Sequence, residues 1–135
     1  RRELQERIKP YGRRVLFLGD SMGACGALQH CDLAATLAFT PQVDLTDYAA
    51  VRRHDLTAER RASLRDAICD TVGRAKGPVL VHYGSGCAED AEQVRILPKN
   101  ATLVAHDFDD HVLSVHLKKT GALQGILDAA IAGVL

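Results

Sequence analysis

Four short apolar runs, with segments of helical period lying between and after them, constrain the fold of this chain more than any other feature. The runs are Arg14 to Leu18, Ala35 to Phe39, Pro78 to His82 and Ala101 to Ala105. Each is apolar throughout or nearly so and lacks the clean two-residue alternation of a half-solvated strand. That is the pattern of strands covered on both faces, as in a parallel sheet. In Thr57 to Ala75, Leu64, Ala67, Ile68 and Val72 fall on one stripe with arginines and aspartates around the rest, and Thr57 stands where an N-cap belongs. Ala88 to Leu97 reads as a further helix. Ala122 to Leu135 places Leu123, Ile126, Leu127, Ala130, Ile131 and Val134 on a wide apolar face, and Gly121 separates it from the helical stretch Val112 to Lys119. Residues 3 to 9 read as a helix that stops at the turn signal Pro10-Tyr11-Gly12. Strand and helix in alternation predict right-handed crossovers and an α/β fold, a parallel sheet of about four strands flanked by helices.

The chain has 135 residues, 47% hydrophobic and 25% charged, which suits one domain spanning 1–135 with one core. Its 17 basic residues balance 17 acidic ones, so no net field draws it to nucleic acid or to an anionic membrane surface. Arg52-Arg53 and Arg60-Arg61 read as solvated helix faces. No apolar run approaches the roughly 20 residues of a membrane span, and Arg1-Arg2 leads into a charged helix rather than a signal sequence. The expectation is a soluble, cytoplasmic protein. The four cysteines, Cys25, Cys31, Cys69 and Cys87, lack Cys-x-x-Cys spacing and read as buried thiols. Cys25, His30 and Cys31 do not converge on one helix face, so no metal site is expected and no cofactor is implied.

In an open parallel sheet, reactive groups collect beyond the carboxyl ends of the strands. Beyond the first run stands Gly19-Asp20-Ser21-Met22-Gly23, followed by a small-residue helix containing Ala24, Gly26, Ala27 and Leu28. Gly-x-Ser-x-Gly between a strand and a helix is the pattern of a nucleophile elbow, in which the chain turns so sharply that the flanking residues must be glycine or nearly so. The amide of Met22 and the helix dipole would then face a developing oxyanion. Helix capping is the competing role for Ser21, but it does not account for glycine on both sides. Beyond the second run lies Thr40-Pro41-Gln42-Val43-Asp44, beyond the third Tyr83-Gly84-Ser85-Gly86 and then Glu89-Asp90, and beyond the fourth His106 through His111.

A serine hydroxyl needs a base, and a histidine oriented by a carboxylate is the usual one. Ser21, Asp90 and His111 supply these roles in the order serine, acid, histidine. Glu89 and Asp44 are alternative acids, and a solvated place in the first turn of the helix from Ala88 is the competing role for Asp90. His106 and His116 compete with His111, whose place on a loop past the strand end suits a base better. Asp109 and Asp110 beside it read as surface acids. His30, His54 and His82 read as structural.

From Val15 to Leu127 the chain resembles the C-terminal half of an α/β-hydrolase. The resemblance rests on the elbow Gly19-Asp20-Ser21-Met22-Gly23, the next strand ending in Phe39-Thr40-Pro41-Gln42, an acid loop, and the loop Asp107-Phe108-Asp109-Asp110-His111 before a helix. It implies a serine hydrolase that acts on an ester, thioester or amide, a small-molecule acyl substrate, through Ser21, Asp90 and His111 with Met22 as an oxyanion donor. In that superfamily a second donor comes from a loop after an early strand. The resemblance therefore implies a longer chain, whose N-terminal half, or another chain, completes the sheet. Because fold does not fix chemistry, a non-catalytic hydrolase-like accessory or binding domain is the alternative. Val15-Leu16-Phe17-Leu18-Gly19-Asp20-Ser21 also resembles the opening block of the GDSL or SGNH esterases. Those enzymes carry Asp-x-x-His, whereas Phe108 stands three residues before His111, and no Gly-x-Asn-Asp segment is present.

Overall fold

A computed structural model describes residues 1–46 and 57–134. Arg52-Arg53, His54 and Leu135 lie outside the described residues. The order of elements is α1 (Arg2–Ile8), a 3₁₀ turn (Lys9–Tyr11), β1 (Leu16–Asp20), α2 (Met22–Leu28), β2 (Ala35–Phe39), α3 (Ala58–Arg74), β3 (Val79–Gly84), α4 (Ala88–Arg95), β4 (Thr102–His106), α5 (Leu113–Lys119) and α6 (Ala122–Ala132). The four strands form one sheet in the order β1-β2-β3-β4, parallel throughout. The expected α/β architecture is therefore present.

Side chains of each strand point alternately to the two faces, and the two faces receive different helices. Ala38, Val79 and Val81 meet α2, α3 and α4 in a cluster that also buries Ala24, Cys25, Leu28, Ile68, Val72 and Val94. Leu37 and Phe39 point the other way, to Leu113 and Leu117 of α5 and Ala130 of α6. Fully burying one such aliphatic side chain contributes about 1.5–3 kcal/mol, so both layers are held chiefly by area removed from water. The register Leu18 with Leu37 and Ala38 with Val81 keeps the apolar residues of neighbouring strands in common rows.

Several details differ from the sequence expectation. β1 starts at Leu16 rather than Arg14 and runs through Gly19-Asp20, so the elbow begins inside the strand. In α3, Ala67 is exposed and Thr71 is buried, its hydroxyl donating to the Ala67 carbonyl at 2.7 Å. A back-bonded threonine hides its polar atom and can stand in a core stripe. On α6, Ile131 stays 45% exposed because that helix covers the flank of the sheet and, among the described residues, no further layer lies outside it. Gly121, at φ +81°, joins α5 to α6 in a backbone conformation that glycine adopts freely. Cys25 and Cys31 are buried thiols as expected, whereas Cys69 and Cys87 are only half-buried. Among the described residues no helix is long and apolar enough to cross a membrane.

Candidate active site

The turn from β1 into α2 is made by Ser21 at φ 52° and ψ −118°, a sparsely populated conformation for any residue with a Cβ. Its backbone N–H donates to the Phe39 carbonyl at 2.9 Å, and its carbonyl accepts from the Ala24 amide at 3.0 Å. The strained residue is thus tied to β2 on one side and to α2 on the other. Of the two flanking glycines, only Gly19 is demanded by close approach. A Cβ there would lie 2.2 Å from the Gly23 carbonyl oxygen, whereas a Cβ on Gly23 would meet nothing within 4 Å. The expectation of two obligatory glycines is corrected to one, because position 19 lies under the first turn of α2 and position 23 points away from it.

Ser21 Oγ lies 2.8 Å from His111 Nε2. His111 Nδ1 lies 2.7 Å from Asp90 Oδ1. These contacts give Nδ1 the proton to donate to the carboxylate and leave the Nε2 lone pair for the serine O–H. Asp90 is 2% exposed, so the solvated first-turn role is replaced by a buried one, although the residue does stand in the first turn of α4. Met22 is the first residue of α2, and first-turn amides have no acceptor within their helix.

The other candidates lie elsewhere. Asp44 accepts from Thr46 and is paired with Arg65 at 3.3 Å. Burial alone would raise its pKa, but the hydrogen bonds from Thr46 and Arg65 outweigh it and hold the carboxyl below its usual range. Glu89, Asp109 and Asp110 are exposed. His116 stacks on Phe108, with centroids 4.3 Å apart. His106 Nε2 lies 2.9 Å from Nδ1 of the buried His82. Burial, and then the neighbouring His106, push the His82 pKa down to about 4, so His82 is neutral at ordinary pH; burial, and then His116, lower that of His106. Among the described residues no group of three His, Cys, Asp or Glu side chains is arranged to hold a metal.

Four further residues, Gln42, Asp20, Thr40 and Ser114, join the site without having been given a role by sequence. Gln42, 4% exposed, brings its Nε2 to 3.4 Å from His111 Nε2. Asp20, the variable residue of the elbow, accepts from Ser114 Oγ at 2.6 Å and from Thr40 Oγ1 at 3.2 Å. Ser114 belongs to α5, which follows the histidine loop, so one carboxylate couples the serine turn, the end of β2 and the helix behind His111. The signal available was position alone: polar side chains at the carboxyl ends of strands. Glycines also let the loops close on one another. A Cβ on Gly84 would lie 2.6 Å from the Phe108 carbonyl oxygen, so β3 can approach the histidine loop only without one.

Comparisons with protein-family models, curated proteins and solved structures find no match to this chain.

Proposed function

We propose that this chain is a serine hydrolase that cleaves an ester, thioester or amide through an acyl-enzyme, on a domain like the C-terminal half of an α/β-hydrolase. The observation that carries this reading is the unbroken chain of contacts from Ser21 Oγ to His111 and on to buried Asp90. In the proposed reaction His111 Nε2 takes the Ser21 proton as Oγ attacks the acyl carbon. The Met22 N–H receives the developing oxyanion. Collapse of the tetrahedral species breaks the bond to the alcohol, thiol or amine, which leaves with the proton from His111. Water, deprotonated in turn by His111, then attacks the acyl-enzyme, and Ser21 regains its proton as the acid departs. Asp90 holds the ring and balances the imidazolium that forms. The acid comes from α4, on the segment after β3, rather than from the histidine's own loop, which favours the α/β-hydrolase order over the GDSL or SGNH arrangement. The free cysteines accord with a reducing, cytoplasmic setting for the proposed enzyme.

A fluorophosphonate probe tests the reading. The expected result is covalent labelling that disappears in Ser21→Ala and falls sharply in His111→Gln. A folded full-length protein that takes no label overturns the hydrolase and leaves the non-catalytic binding domain.

A further inference from the structure

We propose that Gln42 is a positioning residue for His111, its carboxamide pinning the Nε2 side of the ring while Asp90 pins the Nδ1 side. The inference deepens the hydrolase reading and rests on it for its catalytic meaning. One hydrogen bond to Asp90 fixes one ring atom and leaves the imidazole free to swing about that contact. His111 sits on a loop with its side chain 31% exposed, so water is at hand to receive a ring that swings out. A second polar contact opposes that motion on the side where Ser21 must be met: a Gln42 Nε2–H, 3.4 Å from His111 Nε2, shares the one lone pair of that nitrogen with the Ser21 O–H.

Gln42 is itself firmly placed. Its side chain is buried, and its backbone carbonyl accepts the Cys25 thiol at 2.7 Å from within α2. Just upstream, Thr40 turns at φ 43° and its N–H donates to the His82 carbonyl at 2.8 Å. The carboxamide is therefore referenced to the helix that begins at the serine and to the strand that leads to the acid. Among the described residues the polar groups meeting the His111 ring are Ser21 from the elbow, Gln42 from the end of β2 and Asp90 from α4. Asp109 and Asp110, on its own loop, are exposed.

The test uses the whole chain and two variants of nearly unchanged side-chain length. Gln42→Met removes the hydrogen-bonding group, and Gln42→Glu places a carboxylate beside Nε2, which favours the protonated ring. The rate of fluorophosphonate labelling, followed across a pH series, is expected to fall about tenfold in Gln42→Met. In Gln42→Glu its acid limb is expected to move up by about one pH unit. Labelling of Gln42→Met within about twofold of wild type, together with an unshifted acid limb in Gln42→Glu, overturns the proposal; a residue that only fills space gives that result. If wild type takes no label, the hydrolase reading fails and the contact is judged separately from the ring resonances of His111. Their pH titration moves upward in Gln42→Glu if the contact exists, and an unmoved titration refutes it.

Discussion

β1 and β2 each lead into a residue of positive φ, put to different use at the two places. Ser21 at φ 52° and Thr40 at φ 43° are the non-glycine residues with positive φ among the described residues. Each costs on the order of 1–3 kcal/mol and persists only where its surroundings over-determine it. Ser21 is half-buried and offers its hydroxyl to His111. Thr40 is fully buried, and its hydroxyl is directed at Asp20 within the elbow. Strain at the first strand end presents the proposed nucleophile, and strain at the second braces that presentation. The Ser21 amide, donating to the Phe39 carbonyl one residue before Thr40, makes the two turns a single unit.

Ser21→Ala separates the two roles most sharply. Labelling by an activated acyl or phosphonyl reagent is expected to fall on the order of 10⁴-fold or more. Stability measured by urea unfolding should change by less than about 1 kcal/mol. A large loss of stability would mean that Ser21 braces the fold as Thr40 does. Next in size is Gly19→Ala, whose Cβ would meet the backbone of α2. It should cost about 3 kcal/mol, whereas Gly23→Ala, with open space around its Cβ, should be neutral or slightly stabilising. Equal effects at the two glycines would refute the close approach beneath the elbow.

The support under Thr40 is sensitive to acid. His82, whose carbonyl receives the Thr40 amide, has its pKa lowered by burial to about 4 from 6.5. Between those values the unfolded chain binds more protons than the folded one, so stability rises with pH. The contribution is complete above the unfolded value and is lost as pH falls through the folded one, up to about 3 kcal/mol in all. Urea midpoints measured across that range should show an acid slope that His82→Phe reduces. An identical slope in the variant would place the acid sensitivity elsewhere. Smallest is Thr40→Val, which keeps the β-branch and removes the hydroxyl. A loss of about 1 kcal/mol is expected, with a several-fold slower labelling as Asp20 loses one of its two donors. No change in labelling would show that the second turn braces the fold without bracing the serine.

Much of this arrangement was legible from the order of residues. Unalternated apolar runs located four strands to within about two residues, and Gly121 marked the break between α5 and α6. The elbow was legible because a strand, a serine between glycines and a small-residue helix occur in succession. Ser21, Asp90 and His111 were candidates because each follows a different strand at the same edge. What stayed hidden depended on which side chains face one another. Asp90, Glu89 and Asp44 are equivalent as types, and only packing turned Asp90 inward to His111 while Arg65 claimed Asp44. The histidines divided for the same reason. His106 ends a strand whose alternation points it at His82, and His111 sits where the loop folds back over β3.

The sequence by itself determined the strand and helix periods, the place of the sharp turn, and the set of polar residues at the carboxyl edge, because these follow from local spacing and backbone preference. Tertiary structure alone decided which acid meets which histidine and that Gln42 stands beside Nε2. Those outcomes depend on distances between segments well separated in the chain, 69 positions for Gln42 and His111. No local pattern encodes such a distance; the side-by-side pairing of the four strands and the helices packed on either side set it.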